Sequence, residues 1–224
     1  MPEIQIVYED NHLLVVVKPP NVLSQADAGG DEDMLTLLKD FIKMRDQKPG
    51  NVFMGLVHRL DRPVGGLMVF AKTSKAASRL SESVRARTFD KLYHAVVHGF
   101  PNPQEGRLKH WLRKNESTQM VSVVNAGTKD GKEAILDYQV LRTTRDYSLI
   151  QVKLLTGRPH QIRVQCAHSG FPIVGDRKYG KQSDAREIET IALWAVELGF
   201  PHPVRDEWMH FQLKTPATRP WIEI

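Results

Sequence analysis

Five strand-like runs follow one another between Lys91 and Leu155 with no helical stretch between them. They are Lys91–His98, Gly106–Leu112, Met120–Asn125, Ala134–Arg142 and Ser148–Leu155, separated by segments containing Gly, Pro, Asn or Asp. Parallel neighbours need a long crossover, usually a helix, so runs spaced like this turn straight back on themselves. Helical periodicity occurs only in three places. Asp31-Glu32-Asp33 opens a helix whose apolar stripe is Leu37, Leu38, Phe41 and Ile42, with Pro49-Gly50 as its stop. Ser74 is the expected cap of a second, in which Ala77, Leu80 and Val84 share a face. A third runs from His160 to Ser169, after Pro159 and before Gly170. At the start, Gln5–Asp10, a turn at Asn11-His12, and Leu13–Val17 form a hairpin that Lys18-Pro19-Pro20 ends. Further strands are expected near Ile191–Ala195 and His210–Leu213. The pattern predicts an α+β protein with a largely antiparallel sheet, and a single domain spanning 1–224.

Composition narrows the class. No apolar run approaches bilayer length, and Met1-Pro2-Glu3-Ile4-Gln5 is not a secretory signal. One cysteine, Cys166, excludes an internal disulfide framework and suits a reducing compartment, so the expected location is cytoplasmic. The net charge is +5, unevenly placed: residues 1–50 carry five Lys/Arg and nine Asp/Glu, whereas residues 51–100 carry eight and three. Further basic clusters lie at Arg107, Lys109, Arg113 and Lys114, and at Arg177, Lys178 and Lys181. Such clusters suit a polyanion whose phosphates supply sequence-independent affinity.

Within the basic segment, His58-Arg59-Leu60-Asp61-Arg62-Pro63-Val64-Gly65-Gly66 connects two strand-like runs, Val52–Val57 and Leu67–Ala71. Connecting loops commonly present functional residues. A carboxylate between two arginines favours its ionised form, which suits a nucleophile or an electrostatic anchor better than a general acid. A solvated Arg-Asp-Arg ion pair is the commoner meaning of such a stretch.

Other candidates are scattered. Lys91, Tyr93, Ala95 and Val97 share a strand face, so Tyr93 could stack on a base while Lys91 meets a phosphate. His94 and His98 share the opposite face without the partners a metal needs, and no metal is expected. Arg158 and Arg163 bracket the start of the third helix, where an arginine can fork onto a carboxylate or phosphate. A glycine-rich phosphate loop and a Gly-x-Ser-x-Gly elbow are both absent. The residues alone reach an RNA- or DNA-binding α+β protein that could be an enzyme.

Taken in order, these segments resemble the RluA family of RNA pseudouridine synthases. The hallmark is His58-Arg59-Leu60-Asp61-Arg62, continued by Leu67–Thr73. Lys91–Gly99, Thr156–Val164 and Pro172–Gly180 resemble the family's later motifs, and Ile6–Asp10 through Lys18-Pro19 fits its opening. The resemblance implies a pseudouridine synthase fold, a mixed and largely antiparallel sheet with flanking helices and a central active-site cleft. It implies isomerisation of uridine to pseudouridine in tRNA or rRNA by base flipping, with no cofactor. Asp61 would be the nucleophile, Tyr93 would stack on the target uracil and Arg163 would pair with the aspartate. Ile162 would pack beside the base, and Arg59 would fill the gap left by the extracted nucleotide. Arg62, Lys91 and Arg158 would contact the RNA. RNA is the one partner expected, with no membrane, no protein partner and a monomeric state.

Three departures stand out. Arg62-Pro63-Val64-Gly65-Gly66 replaces the common Arg-Asp-Thr-Ser-Gly. Gln165 stands where a histidine is usual, and so does Trp194. The additional N-terminal RNA-binding domain of many relatives is not expected here, so the catalytic domain would recognise the RNA itself. The competing reading is a catalytically silent RNA-binding or RNA-folding protein on the same scaffold.

Overall fold

Asp10 closes the first hairpin. Its carboxylate accepts from the backbone N–H groups of His12 and Leu13, both at 2.7 Å, which fixes the turn between β1 (Gln5–Glu9) and β2 (Leu13–Lys18). The computed structural model describes residues 4–27, 29–181, 183–184 and 188–224. They group into two units, one comprising the described residues through Asp90 with Ala195–Leu213, the other Lys91–Trp194 with Lys214–Ile224.

In the first unit, β2 pairs antiparallel with β4 (Gly65–Ala71), from Leu13 opposite Ala71 to Lys18 opposite Gly66. Every residue of β4 is buried. The expected run over residues 52–57 shortens to β3 (Gly55–Leu56), which pairs only with Ala71 and Phe70 at the tail of β4. Helix α1 (Met34–Arg45) starts where expected, with Asp33 accepting from Thr36 N–H, and it buries Met34, Leu37, Leu38 and Ile42. Helix α2 (Ser74–Arg85) is capped by Thr73 rather than Ser74. The chain is still extended at Thr73 (φ −137°, ψ 152°), so the threonine hydroxyl reaches Ala76 N–H at 3.2 Å.

The strand expected at Ile191–Ala195 is longer and later: β10 covers Leu193–Pro201 and forms a hairpin with β11 (Trp208–Gln212). Glu197 and Gly199 hid it. Glu197 lies on the outer face beside His210 (2.9 Å) and Gln212 (3.1 Å), and Gly199 makes room for the Trp208 ring. Leu13, Val15, Leu67, Val69, Leu80, Phe89, Leu198, Phe200 and Met209 form this unit's apolar core.

The second unit is the antiparallel array the spacing demanded. Its strands run in the order β5 (Asp90–His98), β9 (Tyr147–Leu154), β8 (Lys132–Thr143), β6 (Glu105–Lys114) and β7 (Val121–Val124). Helix α3 (Gln161–His168) packs on β6 and β7, where Val164 meets Leu112, Val121 and Ala134. The class is α+β, as expected. Among the described residues no helix is long and apolar enough to cross a membrane.

Candidate active site

The loop that carries Asp61 is fixed from both sides by the segment that follows β2. On the N-terminal side, Ser24 Oγ donates to Leu60 O (2.8 Å) and accepts from Leu60 N–H (3.1 Å). On the C-terminal side, Arg62 O accepts from Asn21 N–H (2.8 Å) and from Lys18 Nζ (3.0 Å). Val64 N–H donates to Asp61 O (3.0 Å), closing a tight turn. One step earlier, the buried His58 accepts Val69 N–H through Nε2 at 3.1 Å. Leu60 and Val64 point into the core, while Asp61 stays partly exposed between them.

The two arginines beside Asp61 diverge. Arg59 is exposed. Arg62 turns to Asp31 (2.7 Å) and to the carbonyl of Asn21 (3.2 Å), so its charge is committed outside the loop. One cation that responds to Asp61 was passed over by sequence reasoning. Lys18 is fully buried, burial pushes its ammonium down to about 7, and the Asp61 carboxylate opposes that fall. The available signal was a lysine placed between an apolar strand and two prolines, in a position where a strand buries its side chains.

The glycines after Arg62 have a steric reason. Gly66 has φ +116°, and a Cβ there would lie 2.3 Å from the carbonyl oxygen of Ala195. Only glycine allows that approach.

The remaining expected residues lie in the second unit. Tyr93 sits on β5 opposite Val152, with 5 % of its surface exposed, and Lys91 is half-buried, its ammonium lowered by burial. Ile162 and Arg163 are buried in the first turn of α3. Arg163 is gripped by a residue the sequence did not assign: Asp176 accepts from Nε (2.8 Å) and Nη2 (2.7 Å), a two-pronged contact buried on both sides. Asp176 also accepts from the N–H groups of Lys178 (2.9 Å) and Tyr179 (3.2 Å), and the guanidinium lies over the Tyr179 ring at 5.2 Å. Tyr179 Oη in turn accepts from Val121 N–H (2.9 Å) and is bonded to His160 Nδ1 (2.7 Å). Arg163 is thus held along one edge by a pre-set frame.

Arg158 is tied to structure, its Nε donating to Glu133 O (2.9 Å). Gln161 knots the approach to α3. Its Oε1 accepts from Thr156 Oγ1 (2.8 Å) and Arg158 N–H (3.0 Å), and its Nε2 donates to Ile135 O (3.0 Å). Gln165, where a histidine is usual, is fully buried and links α3 to β6 through Leu108 O (3.1 Å) and His110 Nδ1 (3.0 Å) and to β8 through Ala134 O (3.2 Å). Cys166 is also enclosed, and burial with the nearby Asp176 pushes its thiol up to about 12, which leaves it unreactive.

The basic clusters differ in character. On β6, Arg107 forks onto Asp137 (2.6 and 2.9 Å), Lys109 meets Glu133 (2.8 Å) and Lys114 meets Glu116 (2.9 Å). That strand is largely neutralised. On α2 and just beyond, Lys75, Arg79, Arg85 and Arg87 are exposed, and among the described residues none has an ion-pair partner.

Residues 12–168 match the family model described as RNA pseudouridylate synthase. An uncharacterized RNA pseudouridine synthase of Aquifex aeolicus is 35% identical, over 96% of this chain and 70% of that protein. The ribosomal large subunit pseudouridine synthase D of Pseudomonas aeruginosa is 34% identical, over 98% of this chain and 71% of that protein. Among solved structures, human RNA pseudouridylate synthase domain containing 4 is similar with a TM-score of 0.80 and 25% identity, covering 97% of this chain and 90% of that one. Motif order, fold and relatives agree, and the chain belongs to the RluA-type RNA pseudouridine synthases, a family of isomerases.

Proposed function

We propose that the protein converts one or more uridines of ribosomal RNA to pseudouridine, with Asp61 as the nucleophile and the whole chain serving as one catalytic domain. The observation that carries the reading is the fixing of the backbone on both sides of Asp61, at Leu60 and Arg62, which presents its carboxylate from a rigid loop. Relatives named for the ribosomal large subunit favour ribosomal over transfer RNA as the substrate.

In this reading the target nucleotide leaves the stack, at a cost of about a few kcal/mol. Stacking on Tyr93 and phosphate contacts offset that cost. The exposed cations of α2, rather than the neutralised β6, supply those contacts. Arg163, held by Asp176 through Nε and Nη2, takes the role that the family resemblance gives it, pairing with the nucleophile's carboxylate. Asp61 assists cleavage of the N1–C1′ bond, the uracil turns, and C5 bonds to C1′. C5 then loses its proton and N1 gains one, so the reaction is an isomerisation without external electrons.

Asp61→Asn tests the assignment. The variant is expected to bind substrate RNA within about threefold of wild type and to form no pseudouridine. Product at the wild-type rate would refute Asp61 as the nucleophile. Mapping pseudouridine in total RNA from cells with and without the protein tests the substrate, with loss at a ribosomal position expected and loss confined to transfer RNA opposing it.

A further inference from the structure

We propose that Lys18 is a positioning residue for the reaction: its buried ammonium holds the backbone that carries Asp61, and it does so only while charged. The inference rests on Asp61 being the nucleophile.

Lys18 ends β2 and has 0 % of its surface exposed, which lysine tolerates only when its charge is fully engaged. Its Nζ donates to three carbonyl oxygens: Pro19 at 2.8 Å, Val22 at 2.6 Å and Arg62 at 3.0 Å. Two belong to the segment that follows β2. The third belongs to the residue next to Asp61. The side chain therefore staples the Asp61 loop to the first hairpin from inside the core.

The count of donors decides the protonation state this geometry needs. An ammonium has three N–H groups and no lone pair, matching three carbonyls. A neutral amine has two N–H groups and a lone pair, so one carbonyl would lose its donor and face that lone pair instead. The contact to Arg62 O is the longest of the three and would be the first to open.

The surroundings contain few other charges. From the Asp61 loop, Asp61 and Arg62 act on Lys18, with Arg62 turned away to Asp31. His58 in the same loop is occupied by Val69 N–H, and Arg59 is exposed. The segment of residues 19–24 contributes carbonyls and the Ser24 hydroxyl, and β4 presents Gly66 opposite Lys18 without any titratable side chain. Burial, only partly offset by the Asp61 carboxylate, lowers the ammonium to about 7, and the three carbonyls accept from the charged form. The proton is therefore lost as pH rises through about 7. Above that point the staple on the C-terminal side of Asp61 rests on Asn21 N–H alone.

The test compares wild type, Lys18→Met and Asp61→Asn. It reads single-turnover rate on substrate RNA from about pH 6 to 10, RNA affinity, and amide hydrogen exchange across residues 60–64. Lys18→Met, close in size but unable to donate, is expected to slow the single-turnover rate by about tenfold to a hundredfold with RNA affinity unchanged. The wild-type rate is expected to decline on the alkaline side, and that decline to be missing from Lys18→Met. Exchange at residues 60–64 is expected to be faster in the variant. A Lys18→Met enzyme with the wild-type rate, or one with the same alkaline decline, overturns the proposal. Should Lys18→Met fail to fold, wild-type exchange at residues 60–64 across the same pH range decides, and protection independent of pH overturns it. An active Asp61→Asn would sink the nucleophile assignment while the exchange data still report on the staple. An inactive Asp61→Asn beside an unaffected Lys18→Met would sink the positioning role alone.

Discussion

Asp176→Ala removes the carboxylate that grips Arg163 and leaves a guanidinium enclosed with two of its donors unmet. Asp176 is 2 % exposed and Arg163 4 %, so water cannot replace the lost partner without opening the unit. Four hydrogen bonds disappear together: those from Nε and Nη2 of Arg163, and those from the N–H groups of Lys178 and Tyr179. Stripping one member from a buried ion pair costs about 3–5 kcal/mol. The two N–H groups lie nearer the surface and regain water, so the whole cost is about 4 kcal/mol. With a urea slope of about 2–3 kcal/mol/M, the unfolding midpoint drops by about 1.3–2 M. Arg163→Met, which leaves Asp176 with its two N–H donors, is expected to cost less. The double variant no longer encloses a guanidinium stripped of that carboxylate, so its loss falls short of the sum of the singles by about 2 kcal/mol. Equilibrium unfolding in urea, followed by circular dichroism on all four proteins, measures these quantities. A loss below about 1 kcal/mol for Asp176→Ala, or strict additivity in the double variant, would show that the pair does not act as a buried unit.

Gly66→Ala is expected to yield little soluble protein, because its Cβ would strike the backbone of Ala195 and its φ of +116° disfavours any side chain; normal yield and thermal midpoint would contradict this. Lys75→Glu combined with Arg85→Glu is expected to weaken RNA binding and to lower the steepness of its salt dependence by about 1.5 in log–log slope. Reversing Lys109 and Arg107 on β6 is expected to change that slope less, and a larger change there would move the RNA contact away from α2.

Much of the fold was legible because long runs carry their own periodicity. The five strands of the second unit each lie within a few residues of their expected limits, since their alternation is complete within each run. Where a strand depends on something distant, the local pattern failed. Glu197 and Gly199 look like breaks until Gln212, His210 and Trp208 are brought alongside. The same holds for the site. Asp61 was visible as an isolated acid in a loop, but the residues that hold its backbone come from 18 to 24, and no spacing rule joins those positions. Asp176 was missed because arginine's partner is chosen in space, and the sequence offers many carboxylates. Arg62 shows the converse: adjacency suggested a partnership with Asp61, whereas the guanidinium reaches Asp31.

The first unit is assembled from two separate stretches of the described chain, the residues through Asp90 and Ala195–Leu213, with Lys91–Trp194 lying between them in sequence. Its core therefore stays incomplete on the ribosome until Leu198, Phe200 and Met209 have been synthesised. At bacterial-like rates of about 5–20 residues per second, the nascent chain carries the wholly apolar β4 for several seconds before those side chains arrive. The strand beside the Asp61 loop is thus the segment of this protein most dependent on early protection by a chaperone, and a synthesis arrested before β10 would release an adhesive fragment rather than a smaller enzyme.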